Sequence, residues 1–274
     1  LEEVTVLRYY PYILALAALS VMPLRAIAMD EYGGGWAVPS LDTSLSIGRD
    51  IAHQAVMEDI LRKQVEESSR SSSPTRSSRP TRTTGRRNPQ PSNSASQRQS
   101  VNLAFTPSME VRKRNFAQIV SRARVADPVA AAELEKLFAS RNILAEIDRA
   151  VAPLGAKTNN VADTMALYVI AAWHGSRGNI ANPTRTEFQS VRNQMASILT
   201  ALPTFANATD AQKQELAEAS LIEALFVEQA LSFAAKDPSK LASVKAAIAR
   251  TAEKYGFNVT RLNLSEKGLT LASS

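Results

Sequence analysis

Thirty-three consecutive residues without a core-forming side chain divide this chain in two. Residues 68–100 are built from Ser, Arg, Pro, Thr and other polar or small residues, and contain no Leu, Ile, Val or aromatic residue. Such a stretch cannot bury enough apolar surface to offset its chain entropy, so it reads as a disordered linker. As a random coil it reaches about 30 Å. Residues 101–274 must then supply a core of their own, and at that length a domain buries roughly 70% of its unfolded surface without a covalent staple.

The linker also explains the charge. The chain carries a formal net charge of +6. Residues 68–100 hold seven arginines and no acid, whereas residues 29–67 hold eight acids and three bases. Residues 101–274 are only mildly basic, with twenty bases and sixteen acids intermixed along the helices. That distribution argues against a nucleic-acid surface on the folded domain. Arg70, Arg76, Arg79, Arg82, Arg86, Arg87 and Arg98 suit an anionic surface, either lipid headgroups or a cell-wall polymer. The alternative is a soluble tether whose charge only keeps it extended.

Residues 12–22 form an apolar run between Pro11 and Pro23, too short to cross a hydrocarbon core as a helix. The run has the length of a signal-peptide core. Arg8 precedes it, and Ala26-Ile27-Ala28 follows with an A-x-A cleavage pattern. The expectation is a cleaved signal peptide over 1–28, Met29 as the mature terminus, and a periplasmic or secreted location. Glu2 and Glu3 outnumber Arg8 and depart from the usual basic start, and Leu1 stands where a start methionine is expected. A short buried helix and an uncleaved membrane anchor are the competing readings of the run. Residues 29–67 form a short N-terminal segment whose Ser46–Glu67 part reads as one amphipathic helix, with His53 facing solvent.

From Val101 onward helix signals recur. Thr106-Pro107-Ser108 opens a helix near 107–126, with Phe105 placed to staple its start. Asp127-Pro128 opens a second helix to about Ala139. A third carries Ile143, Leu144, Ile147, Val151 and Leu154, and Gly155 sits where a left-handed residue closes it. Asn159 or Asn160 caps a fourth. Its Met165–Trp173 run is nine apolar residues long and leaves no solvent face, so this is the expected central helix. Thr184-x-x-Glu187 and Thr209-x-x-Gln212 are capping boxes for the fifth helix, stopped by Pro203, and for a long sixth helix to about Ala235. Asp237-Pro238 starts a seventh, closed by Gly256, and residues 257–271 read as an extended strap or a short strand pair. The predicted fold is all-α: a single bundle of about seven helices around a buried central one.

These motifs resemble a bacterial family of unknown function whose members are exported helical proteins. The resemblance rests on Phe105-Thr-Pro-Ser, Asp127-Pro with Ala-Glu-Leu-Glu135, Asn160-Val-Ala-Asp163 leading to Ala172-Trp173, and Asp210-Ala-Gln-Lys-Gln-Glu215. It covers residues 103–270 and implies a low-complexity segment ahead of a helical domain. It carries over no functional residue.

Chemistry is sparse. With no cysteine, disulfides and thiolate sites are excluded. The two histidines, His53 and His174, lie far apart, and no His-Glu-x-x-His, Glu-x-x-His or Gly-x-Ser-x-Gly motif occurs. No catalytic residue, metal site or cofactor is assigned. The candidate binding residues are Trp173, His174 and Arg177. His174 shares a helix face with Ile170 and Leu167, and Trp173 and Arg177 are four apart and placed to stack. Glu133/Glu135 do not face each other, and Asp127 and Asp237 read as caps. Function divides between a non-enzymatic binding or scaffold module on a basic tether and a hydrolase-class enzyme with a cleft near these three residues.

Overall fold

A computed structural model describes residues 101–179 and 181–272 of the chain. The expected signal peptide, the amphipathic helix over 46–67 and the linker lie outside the described residues.

The described part is an all-α bundle closed by one β-hairpin. In chain order, the helices are α1 Met109–Ala126, α2 Pro128–Ser140, α3 Ile143–Val151, α4 Val161–Ser176, α5 Arg185–Ala201, α6 Pro203–Ala206, α7 Asp210–Lys236 and α8 Leu241–Lys254. The hairpin pairs β1 Leu262–Ser265 with β2 Gly268–Leu271, antiparallel, Leu262 opposite Leu271 and Ser265 opposite Gly268.

Local chemistry sets most of the boundaries. Ser108 Oγ accepts from the Val111 amide, and the Asp127 side chain accepts from the Val129 and Ala130 amides with Pro128 in the first turn. Asn160, not Asn159, caps α4. Both capping boxes form, at Thr184/Glu187 and Thr209/Gln212. Gly155 takes the left-handed conformation at φ 79°.

The proline starts show where one boundary differs from expectation. The described residues form eight α-helices, in keeping with a bundle of about seven, and Pro203 is the first residue of the short α6 as well as the stop signal for α5. A proline lacks only the amide that a first turn leaves unpaired anyway. Asp237-Pro238 opens a 3₁₀ turn, Pro238–Lys240, that leads into α8. Phe105 is buried in the core, and its amide donates to the Asn159 carbonyl at 3.1 Å, beside an isolated bridge between Ala104 and Asn160.

The core has two interior helices. The first, α4, packs against α5, α7 and α8 and buries Val161, Ala166, Val169, Ile170 and Ala172. The second, α7, buries apolar Leu216, Ile222 and Leu231 together with polar Gln214, Glu218 and Glu223. Residues 104–108 meet Asn160 at the start of α4 and Asp210 and Gln214 at the start of α7. Gly175 and Val227 meet near the far ends, so α4 and α7 run side by side in the same direction. At that crossing the glycine is required by space, since a Cβ on Gly175 would stand 2.7 Å from Val227 Cγ1 and 2.9 Å from Ile248 Cδ1.

Candidate functional site

The last turn of α4 presents two faces. On one, Trp173 and Arg177 stack, with the guanidinium carbon 4.0 Å from the indole centroid. Trp173 Nε1–H donates to the Leu262 carbonyl at 2.8 Å. Arg177 donates to the same carbonyl at 2.7 Å and to those of Val259 at 3.3 Å and Trp173 at 3.1 Å. These bonds dock the start of the hairpin onto α4. The rest of the hairpin is held by Gln194 of α5, whose buried amide exchanges two 2.8 Å hydrogen bonds with Leu269. Trp173 and Arg177 are therefore occupied in joining elements of the fold.

His174 turns to the other face. Its ring touches Trp173 edge-on at 4.9 Å, but its nitrogens face elsewhere. There it lines a pocket with a cavity volume of about 80 Å³. Three helices build the walls, each with one stripe at helical spacing. From α4 come Leu167, Ile170, Ala171 and His174, the neighbours that the spacing assigns to this histidine. From α7 come Leu221, Ala224, Leu225 and Glu228. The third wall is Ile147, Ala150 and Val151 of α3, with Leu154 of the 3₁₀ turn that follows it, and residues 181–183 close the rim. The pocket includes neither Trp173 nor Arg177, so the three candidate residues do not form one site.

Two ionisable groups share this apolar pocket. His174 Nε2 and Glu228 Oε2 are both buried without a hydrogen-bond partner. Such atoms are rare enough in folded proteins to require a reason. Asn179 Nδ2 approaches His174 Nδ1 at 3.4 Å. With the amide N–H as donor there, Nδ1 is the acceptor and the ring proton sits on the buried Nε2. Burial holds the imidazole below its ordinary value of 6.5, while Glu187 raises it and Arg177 lowers it to smaller extents. Burial also pushes the Glu228 carboxyl up to about 7. Reading the sequence overlooked Glu228. The available signal was a carboxylate completing the i, i+3, i+4, i+7 stripe that begins at Leu221.

The remaining buried acids have structural partners. Asp163 accepts from Arg192 Nε and from the Lys157 amide, each at 2.9 Å, so it has no part in orienting His174. Glu218 is enclosed by Arg112, Asn115 and Gln214. Among the described residues no group of His, Asp and Glu is arranged to hold a metal ion, and no helix is long and apolar enough to cross a membrane.

Residues 13–272 match a family described as a family of unknown function (DUF6683). The chain belongs to the DUF6683 family. No curated protein and no solved structure matches it. The match is wider than the 103–270 suggested by the helical motifs, reaching back through the arginine-rich segment into the apolar run. Low-complexity sequence has no helical spacing, which is why the motifs alone stopped at the domain edge. In this DUF6683 chain the geometry points to the pocket beside α4, bounded by His174 and Glu228.

Proposed function

We propose that this chain is an exported, non-enzymatic binding module whose ligand site is the pocket between α3, α4 and α7. The observation that carries the reading is the pocket's composition. Twelve of its fifteen lining residues are apolar, and the two ionisable ones each carry a buried atom without a hydrogen-bond partner. A largely apolar concavity with a few convergent polar groups is the usual form of a small-molecule site. In this reading residues 1–28 direct export and are removed. The seven arginines of residues 68–100 keep the domain near an anionic surface.

A hydrolase centred on Trp173, His174 and Arg177 is the second reading. In its favour, an imidazole-bearing and a carboxyl-bearing residue, His174 and Glu228, line one pocket. Against it, Trp173 and Arg177 are engaged by backbone carbonyls on the opposite face, and no lining residue carries a hydroxyl or thiol nucleophile.

The test uses the full chain with labelled histidine side chains, His53 serving as the internal control. Small apolar molecules are expected to shift the His174 resonances and leave those of His53 in place. Filling the pocket with Ala171→Leu should abolish the response without lowering the melting temperature. Folded protein that shows no His174 response to any of them would remove the reading.

A further inference from the structure

The outer face of the α1–α2 hairpin is a surface the pocket does not use. Among the described residues three large apolar side chains are exposed, Met109, Val125 and Val129, and all three lie on these two helices. Val125 is 90% exposed. Single exposed apolar side chains need no explanation, but a cluster rimmed by charge does. We infer that this face seats the folded domain on an anionic lipid membrane, its lysines at the headgroups and its two valines in the interface. The inference rests on the anionic-surface part of the reading above and is independent of the pocket.

Helical spacing assembles the face. Lys113, Ala117 and Arg124 fall on one stripe of α1, and Val129, Ala132, Lys136 and Ala139 on one stripe of α2, all exposed. Arg124 reaches across to Glu135 of α2 at 2.8 Å, with both side chains more than half exposed, so the two stripes share one solvent side. Val125 and Val129 flank the Asp127-Pro128 turn at the tip of the hairpin. The alanines between the charges let the face lie close against a plane.

Charge selects the partner. Helix α1 holds five bases and one acid, an excess of four, and residues 101–274 together hold twenty and sixteen, the same excess. Arg112 is committed to Glu218, and Arg124 to Glu135. Lys113, Arg114 and Lys136 are exposed without an ion-pair partner among the described residues. Glu110 is the one acid on α1 to set against them. A second copy docked on this face about a two-fold axis would bring the cations against their own images. An anionic membrane supplies both complements together, headgroup charge for the lysines and an apolar layer for the valines. The seven arginines of residues 68–100 precede α1 closely in the chain, so both act on one surface.

The test uses the mature chain from Met29, so that the apolar run of residues 12–22 contributes nothing. With no cysteine in the sequence, Val125→Cys provides a single attachment point for a polarity-sensitive fluorophore. On phosphatidylglycerol-rich vesicles its emission should shift to the blue, whereas a label at Ser197→Cys, exposed on α5, should not respond. In co-sedimentation, Lys113→Gln with Lys136→Gln should weaken binding about tenfold or more at low salt. Val125→Ser with Val129→Ser should weaken it severalfold, and that loss should persist in salt that screens the charges. All four positions are exposed, and an unchanged melting temperature confirms the fold of each variant. If these variants bind like the parent while replacing the seven linker arginines by glutamine abolishes binding, the inference is overturned and the tether reading stands. Parent protein that sediments with an anionic wall polymer but not with vesicles overturns the inference and assigns the surface to the polymer. Binding to neither overturns the inference and the anionic-surface reading together. A label at Val125→Cys that is blue-shifted without vesicles, and loses that shift when the acids of residues 29–67 are neutralised, also overturns the inference, because the chain's own acidic segment then covers the face.

Discussion

Two glutamates ten residues apart on α7 are both withdrawn from water, in opposite surroundings. Glu218 is 1% exposed and accepts from Arg112 Nε at 2.9 Å and from Asn115 Nδ2 and Gln214 Nε2 at 2.8 Å each. Gln214 also exchanges two 2.8 Å bonds with the Ser108 backbone, so the cluster fastens the start of α1 to α7. Glu228 has Oε2 buried with no donor and lines an apolar pocket. The contrast shows that burying a carboxylate does not by itself mark a functional site. A ring of donors makes Glu218 part of the framework, whereas Glu228 Oε2 has no donor and its carboxyl is pushed up by burial.

Removing Glu218 should break the comparison most violently. Glu218→Ala leaves the Arg112 guanidinium and two buried amides without their acceptor, and uncompensated buried charge of this kind costs about 3–5 kcal/mol. Urea unfolding of the full chain should show that loss as a lower midpoint. A change below about 1 kcal/mol would mean that the cluster is not what joins α1 to α7.

The opposite sign is expected at Glu228. Its carboxyl titrates at about 7 in the fold against an ordinary 4.5. Between those values the unfolded chain has released the proton and the folded chain retains it, so stability falls as pH rises from about 4.5 to about 7 and is level beyond. At 1.36 kcal/mol per unit the loss is on the order of 3 kcal/mol. Glu228→Leu should therefore stabilise the protein at pH 8 by roughly that amount, and the gain should shrink towards pH 5. His174 works in the other direction. Its depressed value stabilises the fold above about 6.5 and that contribution is lost as pH falls, so Glu228→Leu should leave a residual acid-side slope that His174→Phe then removes. A stability profile that Glu228→Leu does not alter would place that carboxyl in water.

Much of this framework was legible beforehand because capping is local. Asp127, Thr184 and Thr209 each bond amides two or three residues away, so a short window contains both partners. The Trp173–Arg177 stack spans one helical turn and was legible for the same reason. The interior role of α7 was not. Glu218 looks like a surface charge until Arg112 and Asn115, more than a hundred residues upstream, are brought to it. Gln194 is hidden similarly: it pairs with Leu269 across 75 residues, substituting for a strand neighbour. His174 and Trp173 are neighbours in sequence, yet a 3.6-residue period turns neighbours to different faces. The pocket partner of His174 lies on another helix.

Smaller effects should separate geometry from surroundings. Trp173→Phe removes one hydrogen bond from the Leu262 carbonyl, but Arg177 Nη2 at 2.7 Å still satisfies that oxygen. The expected loss is about 1 kcal/mol. Because the indole faces away from the pocket, the His174 response to a pocket probe should persist. Loss of that response would join the two faces of α4 into one site and revive the cleft of Trp173, His174 and Arg177.

The smallest effect belongs to a pair that matches Glu218 in distance alone. Arg124 Nη2 stands 2.8 Å from Glu135 Oε2, bridging α1 and α2, and the Arg112–Glu218 contact is 2.9 Å. By length the two ion pairs are equivalent. Their side chains differ: Arg124 and Glu135 are 54% and 63% exposed, against 21% and 2% for Arg112 and Glu218. In water the attraction is screened, and holding two long side chains together costs rotamer entropy, so exposed pairs contribute about 0–1 kcal/mol. Phe116 and Phe138 stack at 4.1 Å between the same two helices and keep them joined whichever charge is removed. A double-mutant cycle on Arg124→Ala and Glu135→Ala should give a coupling below about 0.5 kcal/mol that disappears in high salt. The corresponding cycle on Arg112 and Glu218 should give several times more and resist salt. Equal couplings would mean that the 2.9 Å contact is as wet as the 2.8 Å one, and the division between Glu218 and Glu228 on α7 would lose its basis.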